Sequence, residues 1–230
     1  MGIKKLPIIV YSHYSYSDVW PLIFSQIKKY HPKNPIYLFT NEGIFEGVKS
    51  IYYSNFLDYN NRVIQCLSQI KEKIFLFLHE DMPLYATPNY KMLNRYLELI
   101  TSNQVDSIKL IFAGEEYRKH SSDETLSVTN CSRFSIQPTL IKKSILLDIL
   151  EQYPSDNLWQ LESNISLSKF HPYEEYCSNL KGKKRGIHHY DSEVYPYIAT
   201  AIVKGEWNFK EYPELKELLD TYHIKSRNYL

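Results

Sequence analysis

The sequence predicts an α/β protein with a mixed, mainly parallel central sheet flanked by helices, and three observations carry that expectation. Short apolar runs alternate with segments of helical periodicity through residues 1–112, the order expected of strands crossing to parallel partners through helices. The run Ile74-Phe-Leu-Phe-Leu78 is apolar at every position, the mark of a strand buried on both faces. Polar residues stand directly behind three of these runs: Ser12, Asn41, and His79-Glu80-Asp81. In open α/β sheets ligands bind beyond the carboxyl ends of the strands, so the three stretches are expected on one rim.

Taken in order, residues 7–11 read as a buried strand. Ser17 or Asp18 is placed to cap a helix with Ile23, Ile27 and Tyr30 on its inner face. Residues 35–40 form the second strand, closed by Asn41-Glu42-Gly43, and 48–53 a shorter third. Residues 60–70 carry Val63, Ile64, Leu67 and Ile70 on one helical face. The central strand, 73–78, follows; then come a helix over 89–100 with Tyr90, Leu93, Leu97 and Ile100 inward, and a strand over 107–112. In the second half, 114–130 is polar and reads as loop, and 133–138 as a strand running into a turn. Helices are expected over 142–150, 158–167 and 214–222, a basic loop over 181–186, and an apolar run over 195–203. No linker interrupts the chain, so residues 1–230 are expected to form one domain.

Composition removes several function classes. Lys and Arg total 27 against 26 Asp and Glu, a net charge of +1, which argues against a nucleic-acid protein built on a general basic surface. No apolar run approaches the roughly 20 residues a membrane helix needs. With only 7 Gly there is no GxGxxG or GxxxxGK[ST], so the common glycine-rich phosphate cradles are absent. No GxSxG, HExxH or CxxC occurs either, which leaves nucleophilic and zinc chemistry without support. Cys66, Cys131 and Cys177 are odd in number and widely spaced, the usage of a reducing, cytoplasmic compartment. The 21 Tyr are either compositional drift or a cleft lined with rings that stack and hydrogen-bond.

Four groups carry candidate chemistry. Behind the central strand, carboxylates at Glu80 and Asp81 suit Mg²⁺ or Mn²⁺ shared with substrate phosphates; the alternative is a helix cap or an ion pair with Arg62. Glu162 falls beside the stripe Leu158, Leu161, Ile165, with Trp159 flanking it. A carboxylate in partly apolar surroundings has a raised pKa and can act as a general base; the alternative is a boundary Glu that turns outward. His188-His189 follow Lys183, Lys184 and Arg185. This group could reach a metal or diphosphate, or form a solvated basic loop, and adjacent histidines in a strand would point oppositely. Arg62 could hold a phosphate or pair with the acids.

These segments together resemble GT-A-fold glycosyltransferases, in particular small ones of bacteria and large DNA viruses. Tyr11-Ser12 and Thr40-Asn41 look like the nucleotide-binding start, and Arg62 with Phe75-Leu-Phe-Leu-His-Glu-Asp81 like the segment leading to the metal-binding acidic motif. Phe134-Ser-Ile-Gln137-Pro138 and Asn157-Leu-Trp159-Gln-Leu-Glu162 look like the acceptor-side strand and the base-bearing helix. Gly186-Ile-His188-His189 looks like the late His segment. One departure stands out: His79 occupies the place of the first Asp of Asp-x-Asp, and Asp81 keeps the second.

The resemblance implies a GT-A-like, Rossmann-like domain whose residues 1–112 bind a nucleotide-diphospho-sugar and whose residues 113–230 face the acceptor. It implies Asp81 as metal ligand for Mn²⁺ or Mg²⁺ and Glu162 as base in a single inverting displacement. Donor contacts would come from Tyr11, Ser12, Asn41, Arg62, Glu80, Lys184, His188 and His189, and acceptor contacts from Gln137 and Trp159. A sugar nucleotidyltransferase and a non-catalytic carbohydrate-binding protein remain rival readings. The former normally follows its first strand with a Gly-rich basic loop, and Ser12-His-Tyr-Ser-Tyr-Ser17 is neither.

Overall fold

Four parallel strands carry the first half of the chain. A computed structural model describes residues 5–112, 119–120, 123–128, 135–152, 162, 175–178, 180–186, 189–225 and 227. In it β1 (Ile8–Tyr11), β2 (Ile36–Thr40), β3 (Lys49–Tyr52) and β4 (Ile74–His79) lie in the order β3-β2-β1-β4. Every residue of β1 and β2 is buried, as continuous apolar runs in a parallel sheet require. The sheet continues through β8 (Thr139–Lys142), β5 (Ser107–Lys109), β9 (Glu175–Ser178), β7 (Asp123–Val128) and β6 (Lys119–His120), nine strands among the described residues. All but β7 and β8 point the same way. Because β8 inserts between β4 and β5, the second half of the sequence completes the sheet begun by the first.

Helices α1 (Trp20–Tyr30), α2 (Tyr59–Leu67), α3 (Tyr90–Thr101), α4 (Lys143–Gln152) and α5 (Glu214–Thr221) flank it. Asp58 caps α2 by accepting the Asn61 N–H at 2.8 Å, and Asn89 caps α3 by accepting that of Met92 at 3.2 Å. Asn60 Nδ2 of α2 donates to the Leu150 carbonyl of α4 at 2.9 Å. No helix among the described residues is long and apolar enough to cross a membrane.

Several expectations are corrected. Neither Ser17 nor Asp18 caps α1: a 3-10 turn, Tyr14–Tyr16, intervenes, Ser17 N–H closes it onto the Tyr14 carbonyl at 2.9 Å, and α1 starts at Trp20 with Pro21 in its first turn. The strand expected over 133–138 lies just beyond, at Thr139–Lys142. It pairs on both sides, where Pro138 could supply no ladder N–H; residues 133 and 134 lie outside the described set. Within the polar stretch 114–130 stand β6 and β7, whose short alternation around buried Leu126 sits among polar neighbours. The basic loop is a strand, β10 (Lys181–Arg185), bulged and antiparallel to β11 (His189–Ser192). Gly182 permits this, since a Cβ there would collide with the Asp191 carbonyl. Of the helix expected over 158–167, only Glu162 is among the described residues, and it is helical.

Residues 195–199, 201 and 202 are buried, and this stretch runs along the segment after β4, with Tyr85 N–H to Pro196 O at 3.0 Å and Ile198 N–H to Pro83 O at 2.9 Å. His31 lies beneath this layer, 1% exposed, stacked on Tyr195 at 5.8 Å with both ring nitrogens unpartnered. Burial lowers its pKa from 6.5 to about 4. The unfolded chain takes up this proton below about pH 6.5 and the folded chain only near 4. Stability is therefore complete above 6.5 and falls by up to about 3 kcal/mol as the pH drops between those values. Urea unfolding of His31→Phe is expected to lose less stability than wild type between pH 7 and 4.5; equal losses would remove His31 as the cause.

Candidate active site

Parallel register brings the three polar strand ends level. Tyr11 stands opposite Phe39 on one side and His79 on the other. Ser12 N–H then reaches Phe39 O at 2.9 Å. Behind β1 the Tyr11 ring stacks on Tyr53 at 5.4 Å, meets Tyr59 edge-on at 4.9 Å and lies 5.1 Å from the His79 imidazole. Tyr53 Oη donates to the Ser12 carbonyl at 2.8 Å, and Tyr59 Oη and His79 Nε2 share a hydrogen bond of 2.9 Å. Trp20 Nε1 donates to Ser12 Oγ at 2.8 Å. The β1–α1 loop is tied to the end of β2 by Tyr14 N–H, which donates to Asn41 Oδ1 at 2.8 Å. Gly43 has φ +85° and presses on Tyr14, where a Cβ would come within 2.8 Å of the ring.

The acids sit behind β4. Burial, and then the charge of Asp81, push the Glu80 carboxyl well above its usual range. Asp81 is raised to about 7, first by burial and further by the charge of Glu162, with a backbone hydrogen bond opposing. Burial also raises Glu162, opposed by the Ile136 N–H, which donates to Glu162 Oε1 at 2.6 Å, and by the Lys109 ammonium. Lys109 ends β5 and is 4% exposed. Asp81 and Glu162 are therefore electrostatic neighbours although 81 residues separate them in sequence (162 − 81). Gln137 joins this side, since its Oε1 accepts the hydroxyl of Tyr197, a fully buried ring that also feels the Asp81 charge. Among the described residues no group of three or more His, Cys, Asp or Glu is placed to hold a metal.

Cations follow a different plan from the one the sequence suggests. Arg62 forms no ion pair with Glu80 or Asp81. Its guanidinium lies over the Tyr53 ring at 5.3 Å and its Nη2 donates to Asn55 O at 2.9 Å, while Nε is buried without a partner. Arg185 is not a solvated loop cation. Its Nε meets both Asp191 oxygens, at 2.9 and 3.1 Å, its Nη2 meets Glu214 at 2.5 Å, and Tyr212 lies 5.5 Å beneath it. Lys184 is exposed on β10 opposite Tyr190, and His189 is half-buried opposite Arg185. His188 and Trp159 lie outside the described residues. Tyr11, Ser12, Asn41, Arg62, Glu80, Asp81, Glu162 and Gln137 are thus gathered around the ends of β1, β2, β4 and β5, whereas Lys184 and His189 stand on β10 and β11. Sequence reasoning missed Tyr53, Tyr59, Lys109 and Tyr197; for the tyrosines the available signal was the Tyr excess, and Lys109 stood unremarked inside an expected strand.

No protein-family model matches the chain, and no curated protein matches it in sequence. Solved structures do. A cytidylyltransferase from Leptospira borgpetersenii serovar Hardjo-bovis superimposes with a TM-score of 0.52 at 11% identity, over 98% of this chain and 99% of that one. S. aureus TarS 1–349 gives a TM-score of 0.52 at 13% identity, over 98% of this chain and 67% of that one. At these identities the likeness is one of architecture: the chain has a GT-A-like α/β fold.

Proposed function

We propose that this chain is a glycosyltransferase that moves a sugar from a nucleotide-diphospho-sugar to an acceptor hydroxyl, with Glu162 as general base. The observation that carries this reading is the Glu162 carboxylate, held by the Ile136 N–H beside Asp81 at the carboxyl end of β4. Tyr11, Ser12 and Asn41 would receive the nucleotide, with Arg62 beside them. Glu162, raised by burial, would take the proton of the acceptor hydroxyl as that oxygen bonds to the anomeric carbon. The bond from that carbon to the diphosphate oxygen breaks in the same step and the electron pair leaves with the diphosphate, so configuration inverts. Gln137, beside Tyr197, and Trp159 belong to the acceptor side in this reading.

A divalent cation suits Asp81. The carboxylate is buried and crowded by negative charge, and Mg²⁺ commonly takes one or two carboxylates with substrate phosphates completing its shell. Bound there, the ion would offset charge on the leaving diphosphate. Lys184, His188 and His189 are retained as donor-side candidates on the resemblance alone.

A sugar nucleotidyltransferase is the second reading, favoured by the likeness to the cytidylyltransferase over 99% of its length. Against it, the β1–α1 connection holds neither Gly nor Lys nor Arg and is wound into a 3-10 turn. A non-catalytic carbohydrate-binding protein would have no use for a partly buried row of carboxylates in which Asp81 raises Glu80 and Glu162 raises Asp81. Thermal shift with UDP-, GDP-, CDP- and dTDP-sugars, with and without Mn²⁺, separates these readings. The true donor at 100 times its dissociation constant is expected to add about 2.7 kcal/mol of stability. Stabilisation by a nucleoside triphosphate and not by any nucleotide sugar would select the second reading; no response to any nucleotide would sink both.

A further inference from the structure

Beside the candidate site lies a contact between the two ends of the described chain. Arg227 grips Asp18 with the two arms of its fork, Nε to Oδ2 at 2.6 Å and Nη2 to Oδ1 at 3.0 Å. The same Nη2 donates to the Ser15 carbonyl at 3.4 Å, and the guanidinium lies over the Tyr16 ring at 4.8 Å. Surface ion pairs are generally worth little, but here the Arg227 side chain is only 16% exposed. Three kinds of contact converge on one planar group, and bidentate pairing of this kind is the stronger, geometry-specifying sort. All three partners belong to the β1–α1 loop. That loop gives Tyr14 N–H to Asn41 Oδ1, and the helix it leads into gives Trp20 Nε1 to Ser12 Oγ. The clasp also lies next to the acids, since the charges of both Arg227 and Asp18 act on Glu80.

We infer that Arg227 is a positioning residue of the donor site: by clasping Asp18, Ser15 and Tyr16 it holds the β1–α1 loop in the shape that presents Ser12 and Asn41 to a nucleoside diphosphate. The ligand half of this inference rests on the reading of the site given above; the loop half does not. The loop has no glycine-rich phosphate cradle, so its recognition surface depends on how it is held. A residue 209 positions away in sequence does part of that holding.

Two measurements test it. The first is hydrogen exchange by mass spectrometry on wild type, Arg227→Ala, Arg227→Lys and Asp18→Asn. In wild type the amides of Tyr16, Ser17 and Val19 are bonded within the loop. In Arg227→Ala and Asp18→Asn peptides covering them are expected to exchange at least tenfold faster, while peptides of β1 and β4 keep their protection. Arg227→Lys, which keeps the charge and loses the fork, should fall between. The second is calorimetry with UDP, GDP and CDP in the presence of Mn²⁺. The dissociation constant of whichever binds wild type is expected to rise at least tenfold in Arg227→Ala and partly recover in Arg227→Lys. Unchanged loop exchange in Arg227→Ala would overturn the inference. So would a loosened loop with unchanged nucleotide affinity, or protection lost evenly across the protein. If wild type binds none of the three nucleotides and no dTDP either, the donor reading fails, and exchange alone decides whether the clasp orders the loop.

Discussion

Replacing Glu162 by Gln is expected to lower sugar transfer by about 10²–10⁴-fold while leaving donor affinity near wild type. That range is the usual contribution of a positioned base and corresponds to about 3–5 kcal/mol of transition-state stabilisation. Gln preserves the side-chain volume and an oxygen for the Ile136 N–H, which donates to Glu162 Oε1 at 2.6 Å; it removes the ability to accept the proton. Because burial raises the Glu162 pKa, the deprotonated, active form is reached at higher pH than for a free Glu. The acidic limb of the rate profile is therefore displaced upward, and it should vanish from the residual activity of the Gln variant. Single-turnover transfer from the donor found in the thermal-shift screen measures both effects. Near-wild-type transfer in Glu162→Gln, together with an inactive Glu80→Gln, would move the base to Glu80.

Asp81→Asn is expected to abolish Mn²⁺-enhanced binding of a nucleoside diphosphate and, at the same time, to make the protein more stable above neutral pH. The sign follows from its titration. Burial pushes the Asp81 carboxyl up from its ordinary 3.8 to about 7, so the fold favours its protonated form. That contribution is present at low pH and lost as the pH rises through about 7. Asn carries no charge at any pH, so the gain in melting temperature over wild type should be larger at pH 8 than at pH 5. A site that weakens its own scaffold in order to keep a charge is a common trade between activity and stability. Metal-dependent affinity that survives in Asp81→Asn would place the ion elsewhere, and a pH-independent stability difference would remove the charge argument.

The aromatic surroundings of His79 account for the His that stands before the acids. His79 occupies the position where the Asp-x-Asp pattern has its first carboxylate, yet its ring is packed among Tyr11, Phe77 and Tyr59. Burial lowers its pKa to about 3, so it is neutral at physiological pH, and its Nε2 is engaged by Tyr59. In this chain the position belongs to the aromatic wall behind β1 and β4.

What the sequence determined by itself was local. Continuous apolar runs located β1, β2 and β4, and the polar residues behind them located Ser12, Asn41, Glu80 and Asp81, because burial on both faces writes itself residue by residue into a strand. Where the pattern was diluted it misled. Polar β7 read as loop, and the lysines of β10 read as a solvated turn, since a strand that earns its place through ladder hydrogen bonds need not be apolar. Tertiary structure alone decided the partnerships: β8 lying between β4 and β5, Glu162 beside Asp81, Arg62 on Tyr53, Arg185 between Asp191 and Glu214, and Arg227 on Asp18. Sequence periodicity reports which face of an element is buried. Which distant charge meets which is set by the path of the chain, and no local pattern records it.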